Sequence, residues 1–104
     1  IDINRQCFAL ANKTGGLSGP AIKPIAVRMV YRAANAVSIP VIGMGGIACA
    51  EDALEFILAG ASAVSIGTAN FFNPYAAEET VQGIEAYMRE KKVARLTDLV
   101  GIVK

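Results

Sequence analysis

The sequence predicts an α/β fold with parallel strands, because two short apolar runs end in small residues and a helical pattern lies between them. The run Val41–Met44 stops at Gly45-Gly46, and the run Ala63–Ile66 stops at Gly67-Thr68. Strands that alternate with helices in this way are typical of successive βα units. In (β/α)8 barrels the last two strands often bind phosphate through backbone N–H groups. We therefore expect the C-terminal part of a (β/α)8 TIM barrel, two to three βα units forming one partial barrel domain over residues 1–104.

A first helix is predicted from about Pro24 to Val37, after a polar, glycine-rich loop over residues 12–20. Pro24 suits the first helical position, where no backbone N–H is needed. Apolar residues recur on one face at steps of four, three and four, which indicates a buried stripe. This stripe consists of Ala26, Val30, Ala33 and Val37. Residues 1–20 have no helical period, and at most one short strand is expected there.

The second helix is predicted from about Ala50 to Leu58. Cys49 is a weak N-cap before it, and Gly60 suits a left-handed position after it. Its expected buried face consists of Ala53, Leu54, Ile57 and Leu58.

The third helix is predicted from Asn73-Pro74, a good cap and first-turn pair, to about Glu90. Its expected apolar face consists of Ala77, Val81, Ile84 and Met88. A short last helix is expected near Leu96–Val100. The strand Ala63–Ile66 is apolar on both sides apart from one serine, so we expect helices to cover both faces. Two parallel strands alone leave open edges, and we therefore expect self-association or strand exchange, giving a homo-oligomer.

Composition and charge exclude several function classes. The net charge is +1, so no basic field would hold nucleic acid. The chain has no histidine, which removes Ser-His-Asp and Cys-His catalysis and histidine metal ligation. Cys7 and Cys49 are too few for a metal site or a disulfide framework, and they fit a reduced, cytoplasmic protein. We interpret Cys49 as structural. No apolar run is long enough to cross a membrane, and no signal peptide is recognised.

Three segments are expected to converge at the carboxyl ends of the strands: Ser18-Gly19, Gly45-Gly46 and Gly67-Thr68. Glycine lets the backbone approach a phosphate closely, and Thr68 adds a hydroxyl donor. One glycine pair alone is usually a turn, but two on consecutive strands favour a ligand. Lys13 and Lys23 flank the first loop and could reach an anion, although a solvated or helix-facing lysine is the favoured interpretation. We identify no catalytic acid, base or nucleophile and no metal ligands.

The stretch Thr14–Ala26, which contains the string LSGPAIKP, resembles the glycine loop of dihydroorotate dehydrogenase, in particular its NAD-linked class 1B form. The resemblance continues through Ile42–Ile47, Ala50–Phe56 and Ala59–Ala69 and covers nearly the whole chain. It implies an FMN-containing (β/α)8 barrel that oxidises dihydroorotate to orotate in pyrimidine biosynthesis, of which this chain would be a C-terminal portion.

The resemblance also implies roles for single residues. Gly19 matches the loop glycine that contacts FMN, Gly45-Gly46 match the first phosphate-binding pair, and Gly67-Thr68 match the second. The family's catalytic cysteine lies in an upstream loop, so neither Cys7 nor Cys49 matches it. Electrons would pass to a partner subunit that carries FAD and a 2Fe–2S cluster, and then to NAD. We expect the isolated chain not to turn over dihydroorotate.

Two other interpretations stay open from the sequence. The chain could belong to another phosphate-binding barrel enzyme, which acts on a sugar phosphate or uses FMN for a different oxidation. It could also be a non-catalytic half-barrel that serves binding or assembly. Flavin binding distinguishes these three interpretations, because only the first requires it.

Overall fold

The computed structural model describes residues 1–103 and has the predicted α/β architecture with parallel strands. Strands β1, Ile42–Met44, and β2, Ala63–Ser65, pair in parallel, and helix α2, Ala50–Leu58, connects them. Helix α1, Lys23–Ala36, precedes β1, and helix α3, Ala76–Lys91, follows β2. Three short 3₁₀ helices complete the fold: Pro20–Ile22, Thr68–Phe71 and Leu96–Leu99. Both strands are one residue shorter than predicted.

Helix α2 agrees with its prediction residue for residue, because it packs within the chain against α1, α3 and both strands. Cys49 is its N-cap, and Gly60 follows the helix with a φ of 121°, a conformation that favours glycine. The helix buries more than the expected face. Phe56 is fully buried beneath Gly43, where a β-carbon would lie 2.7 Å from the Phe56 ring. Leu58 is only partly buried.

Helix α1 exposes half of its predicted stripe. Val30 is buried, but Ala33 and Val37 are exposed, so the stripe was wrong in its second half. No other element of residues 1–103 covers this side of the helix. The exposed side chains of Ile25 and Met29 continue the apolar surface towards β1.

One face of the sheet is also open. Ile42 and Met44 are 58% and 60% exposed, whereas Gly43 faces α2 and is buried. In β2, Ala63 and Ser65 are likewise exposed, so the predicted coverage of this strand on both faces is wrong for the residues described. The radius of gyration is 16.6 Å, compared with about 13 Å for a compact domain of this length, so the chain forms a flat, open slab. Residues 1–18 contribute only one antiparallel bridge, between Asp2 and Cys7.

Helix α3 begins later than predicted. The N–H groups of Tyr75 and Ala76 donate to the side-chain and backbone oxygens of Asn73, each at 3.0 Å, which closes a separate turn before the helix. Tyr75 is consequently the N-cap. Within residues 1–103, no helix combines the length and the apolar character that a membrane crossing requires.

The buried face of α3 is rotated relative to the prediction. Ala77 and Val81 are exposed, and the buried residues are Ala76, Thr80 and Ile84. The cause is Gly83, where an added β-carbon would overlap the side chain of Ala50. Because α2 and α3 approach most closely at this glycine, the contact face follows Gly83 and not the apolar residues.

Candidate functional site

A cavity of about 440 Å³ lies where the two strands end. Parallel pairing of Met44 with Ser65 brings the carboxyl ends of both strands to one edge of the sheet. The five residues predicted to bind the ligand all line this cavity: Gly19, Gly45, Gly46, Gly67 and Thr68. The volume is within the range of small-molecule sites, about 300–1,000 Å³. The expected convergence of three chain segments is therefore observed, while the binding role of these residues stays a prediction.

The lining of the cavity carries no titratable side chain among the residues described. Its polar side chains are those of Ser18, Ser65, Thr68 and Asn73, and the rest is backbone or apolar. Within residues 1–103, the groups that could hold an anion in this cavity are backbone N–H and side-chain hydroxyl and amide groups.

Backbone donors are available at both strand ends. Within residues 1–103, the N–H groups of Gly46, Gly67 and Thr68 donate none of the turn, loop or capping hydrogen bonds. They also donate to no side chain in that part of the chain. Backbone N–H groups need a partner, so these three are free to bind water or a ligand.

The first glycine pair is required by the fold itself. Gly45 and Gly46 have φ values of 117° and 78°, which other residues rarely adopt. A β-carbon on Gly46 would lie 2.8 Å from the carbonyl oxygen of Gly19, and one on Gly45 would lie 3.0 Å from Ala26 Cβ. These glycines therefore let the turn at Pro20–Ile22 pack onto the end of β1.

Gly67 differs from that pair. Its φ is −109°, and a β-carbon built on it would meet no atom within 4 Å. Packing within residues 1–103 therefore does not require glycine here. The missing side chain instead keeps this side of the cavity open.

The family of the chain follows from comparison with known proteins. The profile of the dihydroorotate dehydrogenase family matches residues 1–88. The chain belongs to the dihydroorotate dehydrogenase family. The resemblance predicted from the LSGPAIKP string is thereby confirmed.

Curated relatives of this dihydroorotate dehydrogenase segment carry one common description. The dihydroorotate dehydrogenase B (NAD(+)) catalytic subunit of Lachnoclostridium phytofermentans is 65% identical over 104 residues, covering 100% of this chain and 35% of the relative. The subunit of the same description from Trichlorobacter lovleyi is 57% identical over 104 residues, covering 100% of this chain and 34% of the relative. The chain thus spans about a third of the length of the curated relatives it matches.

Solved structures support the fold. The crystal structure of DHODH from Eimeria tenella in complex with ferulenol superposes with a TM-score of 0.76 at 29% identity, covering 90% of this chain and 26% of that one. The ligand-free form from the same organism gives a TM-score of 0.80 at 28% identity, covering 86% and 25%.

Sequence reasoning missed Asn70, which fixes the second strand end of this dihydroorotate dehydrogenase segment. Its Nδ2 donates to the carbonyl oxygens of Ile66, at 2.8 Å, and Gly67, at 3.2 Å. The side chain closes the turn that carries Gly67 and Thr68. An asparagine three residues after a glycine is a signal for such a turn, since asparagine side chains bond to nearby backbone.

Lys23 does not serve as a cation in the cavity. Its Nζ donates to Asp52 Oδ1 at 2.6 Å and to Glu55 Oε1 at 2.7 Å, so it links the start of α1 to α2. Hydrogen bonds to Asp52 and then to Glu55 raise the pKa of Lys23. Partial burial would raise the pKa of Asp52, but the hydrogen bonds from Lys23 and from the Ala48 N–H outweigh it and the pKa is lowered. The favoured interpretation of Lys23 as a helix-facing residue is confirmed.

Neither cysteine has the features of a nucleophile. Cys7 and Cys49 are free thiols, and neither lines the cavity. Desolvation raises the pKa of Cys49, which reduces its thiolate fraction and its reactivity. Within residues 1–103, no three His, Cys, Asp or Glu side chains are grouped in a way that could hold a metal ion.

Proposed function

We propose that this chain is part of the catalytic subunit of an NAD-linked dihydroorotate dehydrogenase and that its cavity holds the phosphate of FMN. The observation that carries the proposal is that Gly19, Gly45-Gly46 and Gly67-Thr68 line one cavity in a chain that belongs to this family. The N–H groups of Gly46, Gly67 and Thr68 would bind the phosphate oxygens, together with the Thr68 hydroxyl. The residues present fit such a group, because N–H and hydroxyl donors suit a phosphate.

The residues that line the cavity indicate which part of the reaction this chain would serve. Bound FMN would supply the redox chemistry that converts dihydroorotate to orotate in pyrimidine biosynthesis. The residues of this chain bind and orient the phosphate end, because the cavity offers no side chain that could take up a proton. The acid–base residues of the reaction accordingly belong to another part of a longer (β/α)8 barrel, in which residues 1–104 form one partial domain.

The same proposal includes a partner. The curated relatives are named catalytic subunits, which supports a separate subunit that carries FAD and a 2Fe–2S cluster and passes electrons to NAD. We also propose a homo-oligomer in the cytoplasm. The exposed sheet face supports the homo-oligomer, and the two free thiols support the cytoplasm as its location.

One observation favours a second candidate. The absence of titratable side chains around the cavity, within residues 1–103, also fits a binding or assembly module without catalysis. The two candidates differ in what they bind, because the module need not select a flavin.

Flavin fluorescence tests the proposal. We expect the purified chain to quench added FMN and to bind riboflavin more weakly, since riboflavin lacks the phosphate. Gly67→Leu fills the cavity and should abolish the quenching, while Gln82→Ala on the exposed side of α3 is the matched control. Binding of ribose 5-phosphate without any flavin binding would favour a different barrel enzyme, and binding of neither would favour the assembly module.

Activity requires a longer protein. Residues 1–104 would replace the matching third of the Lachnoclostridium phytofermentans subunit, with which they share 65% identity. We expect this chimera to form orotate and the 104-residue chain alone to form none. Orotate formation by the isolated chain would contradict the proposal that the acid–base residues lie in another part of the barrel.

A further inference from the structure

Lys23 and Asp52 hold the loop from Gly45 to Ala48 from two sides, although neither side chain lines the cavity. On one side, a β-carbon on Gly46 would lie 2.9 Å from Lys23 Cβ and 3.0 Å from the Lys23 backbone nitrogen. On the other side, Asp52 Oδ2 accepts a hydrogen bond from the Ala48 N–H at 3.0 Å. The Lys23–Asp52 ion pair, at 2.6 Å, joins the two sides. Lys23 therefore contacts one end of the loop, Asp52 bonds to the other end, and the two side chains bond to each other.

The ion pair is shielded from solvent more than the surface pairs of this chain. The side chains of Lys23 and Asp52 are 24% and 16% exposed, whereas those of Arg89 and Glu85 are 78% and 65% exposed. Water and salt weaken exposed pairs most strongly, so the Lys23–Asp52 contact is the one expected to contribute. It is also a short, charge-assisted hydrogen bond, the stronger class of such contacts.

The charge of Lys23 has a second consequence. Asp52 bonds directly to the N–H of Ala48, which lines the cavity, and Glu55 lies beside it on α2. Without Lys23 these two carboxylates would oppose an anion in the cavity. Lys23 contacts both, at 2.6 and 2.7 Å, and offsets one of the two negative charges.

We propose that Lys23 and Asp52 are positioning residues of the anion site, which together fix the Gly45–Ala48 loop in its binding conformation. Lys23 in addition offsets the nearby negative charge. This inference rests on the proposed function, because it assigns a role towards the phosphate of FMN. A merely structural contact would affect all ligands alike. A positioning role at the phosphate affects FMN and spares riboflavin.

Paired flavin titrations of the 104-residue chain test the role. We expect Lys23→Met to weaken FMN binding by at least about tenfold, the equivalent of one charge-assisted hydrogen bond, and to change riboflavin binding by less than about twofold. Asp52→Ala should weaken FMN binding by a smaller factor, because it removes the loop contact but also one negative charge near the anion. Lys23→Arg keeps the charge and should retain most of the affinity. Glu85→Gln, in an exposed pair on α3, is the matched control and should change neither affinity. Equal losses for FMN and riboflavin would overturn the proposal.

Hydrogen exchange separates this inference from the proposed function. The Ala48 N–H donates to the Asp52 carboxylate in the wild type, so Asp52→Ala, which removes both acceptor oxygens, should speed its exchange, with a smaller effect in Lys23→Met. Unchanged exchange at Ala48 in Asp52→Ala overturns the positioning role even if FMN binds. If the wild type binds no flavin but exchange at Ala48 responds, the proposed function fails while the control of the loop by Asp52 is supported.

Discussion

The carbonyl oxygen of Gly19 lies against the α-carbon of Gly46, so closely that a β-carbon on Gly46 would be only 2.8 Å from it. Gly46 also has a φ of 78°. We expect Gly46→Ala to lower the free energy of unfolding by about 2–4 kcal/mol, because it combines a strained backbone with a backbone clash. Urea denaturation of the 104-residue chain measures this. A loss below about 0.5 kcal/mol would show that the Gly19 turn moves away freely.

Gly67→Ala should affect FMN binding and leave the stability of the chain nearly unchanged. The added methyl group meets no atom of the chain within 4 Å, and the φ of −109° is negative. We expect the free energy of unfolding to change by less than about 1 kcal/mol, while FMN binding weakens because the methyl group enters the cavity. The same denaturation and flavin titrations measure both quantities. A large loss of stability with full FMN affinity would show that Gly67 serves packing and not the cavity.

The fold was predictable where its contacts are local. Helix α2 was predicted over Ala50–Leu58 and is found there, because its caps and its packing partners lie within this chain. The stripe on α1 was predicted as buried but is open at Ala33 and Val37, because no element of the residues described covers it. A periodic pattern shows which side of a helix is apolar, but it does not show what lies opposite.

The sequence predicted the backbone positions of the site but not the side-chain bonds that support it. Glycines at strand ends identified the residues around the cavity, since they mark places where backbone approaches a neighbour or a ligand. The sequence did not indicate that Asp52 bonds to both Lys23 and Ala48. The Lys23–Asp52 bond joins residues 29 positions apart, and such pairing depends on the tertiary arrangement of α1 and α2.

Thr80 carries a buried hydroxyl without a hydrogen-bond partner in the part of the chain described. It is 2% exposed on the face of α3 that packs against α2. We expect Thr80→Val to raise the free energy of unfolding by about 1 kcal/mol, because it removes an unpaired polar group and keeps the shape. Thr80→Ser keeps the hydroxyl and loses the methyl group, so it should be destabilising in the same urea experiment. If the valine variant is less stable than the wild type, the hydroxyl has a partner in solution.

The Lys23–Asp52 pair predicts a pH dependence of stability. The pKa of Asp52 is lowered on folding, so its contribution is complete above the unfolded value of about 3.9 and is lost as the pH falls through the folded value. The pKa of Lys23 is raised, so its contribution is complete below about 10.4 and is lost as the pH rises through the folded value.

We therefore expect the stability difference between the wild type and Asp52→Asn to be constant at about 1–3 kcal/mol from pH 5 to pH 9 and to shrink below pH 4. Urea denaturation at a series of pH values measures it. Because Glu51 also has a lowered pKa, the Glu51→Gln variant is needed as the reference for the remaining acid dependence. A difference that grows on acidification has the wrong sign for this pair.

The open side of the slab predicts self-association. Ile25 and Met29 on α1 and Ile42 and Met44 on β1 are each more than half exposed and line one apolar groove. Burial of such side chains contributes about 25 cal/mol per Å², so a second copy that covers the groove is favoured. We expect light scattering to show oligomers whose fraction rises with concentration. Met29→Lys should shift the population towards monomer, whereas Val81→Lys, on the exposed side of α3, should not. A wild-type chain that stays folded and monomeric at all concentrations would rule out this role for the groove, because its apolar residues would then be stable in water.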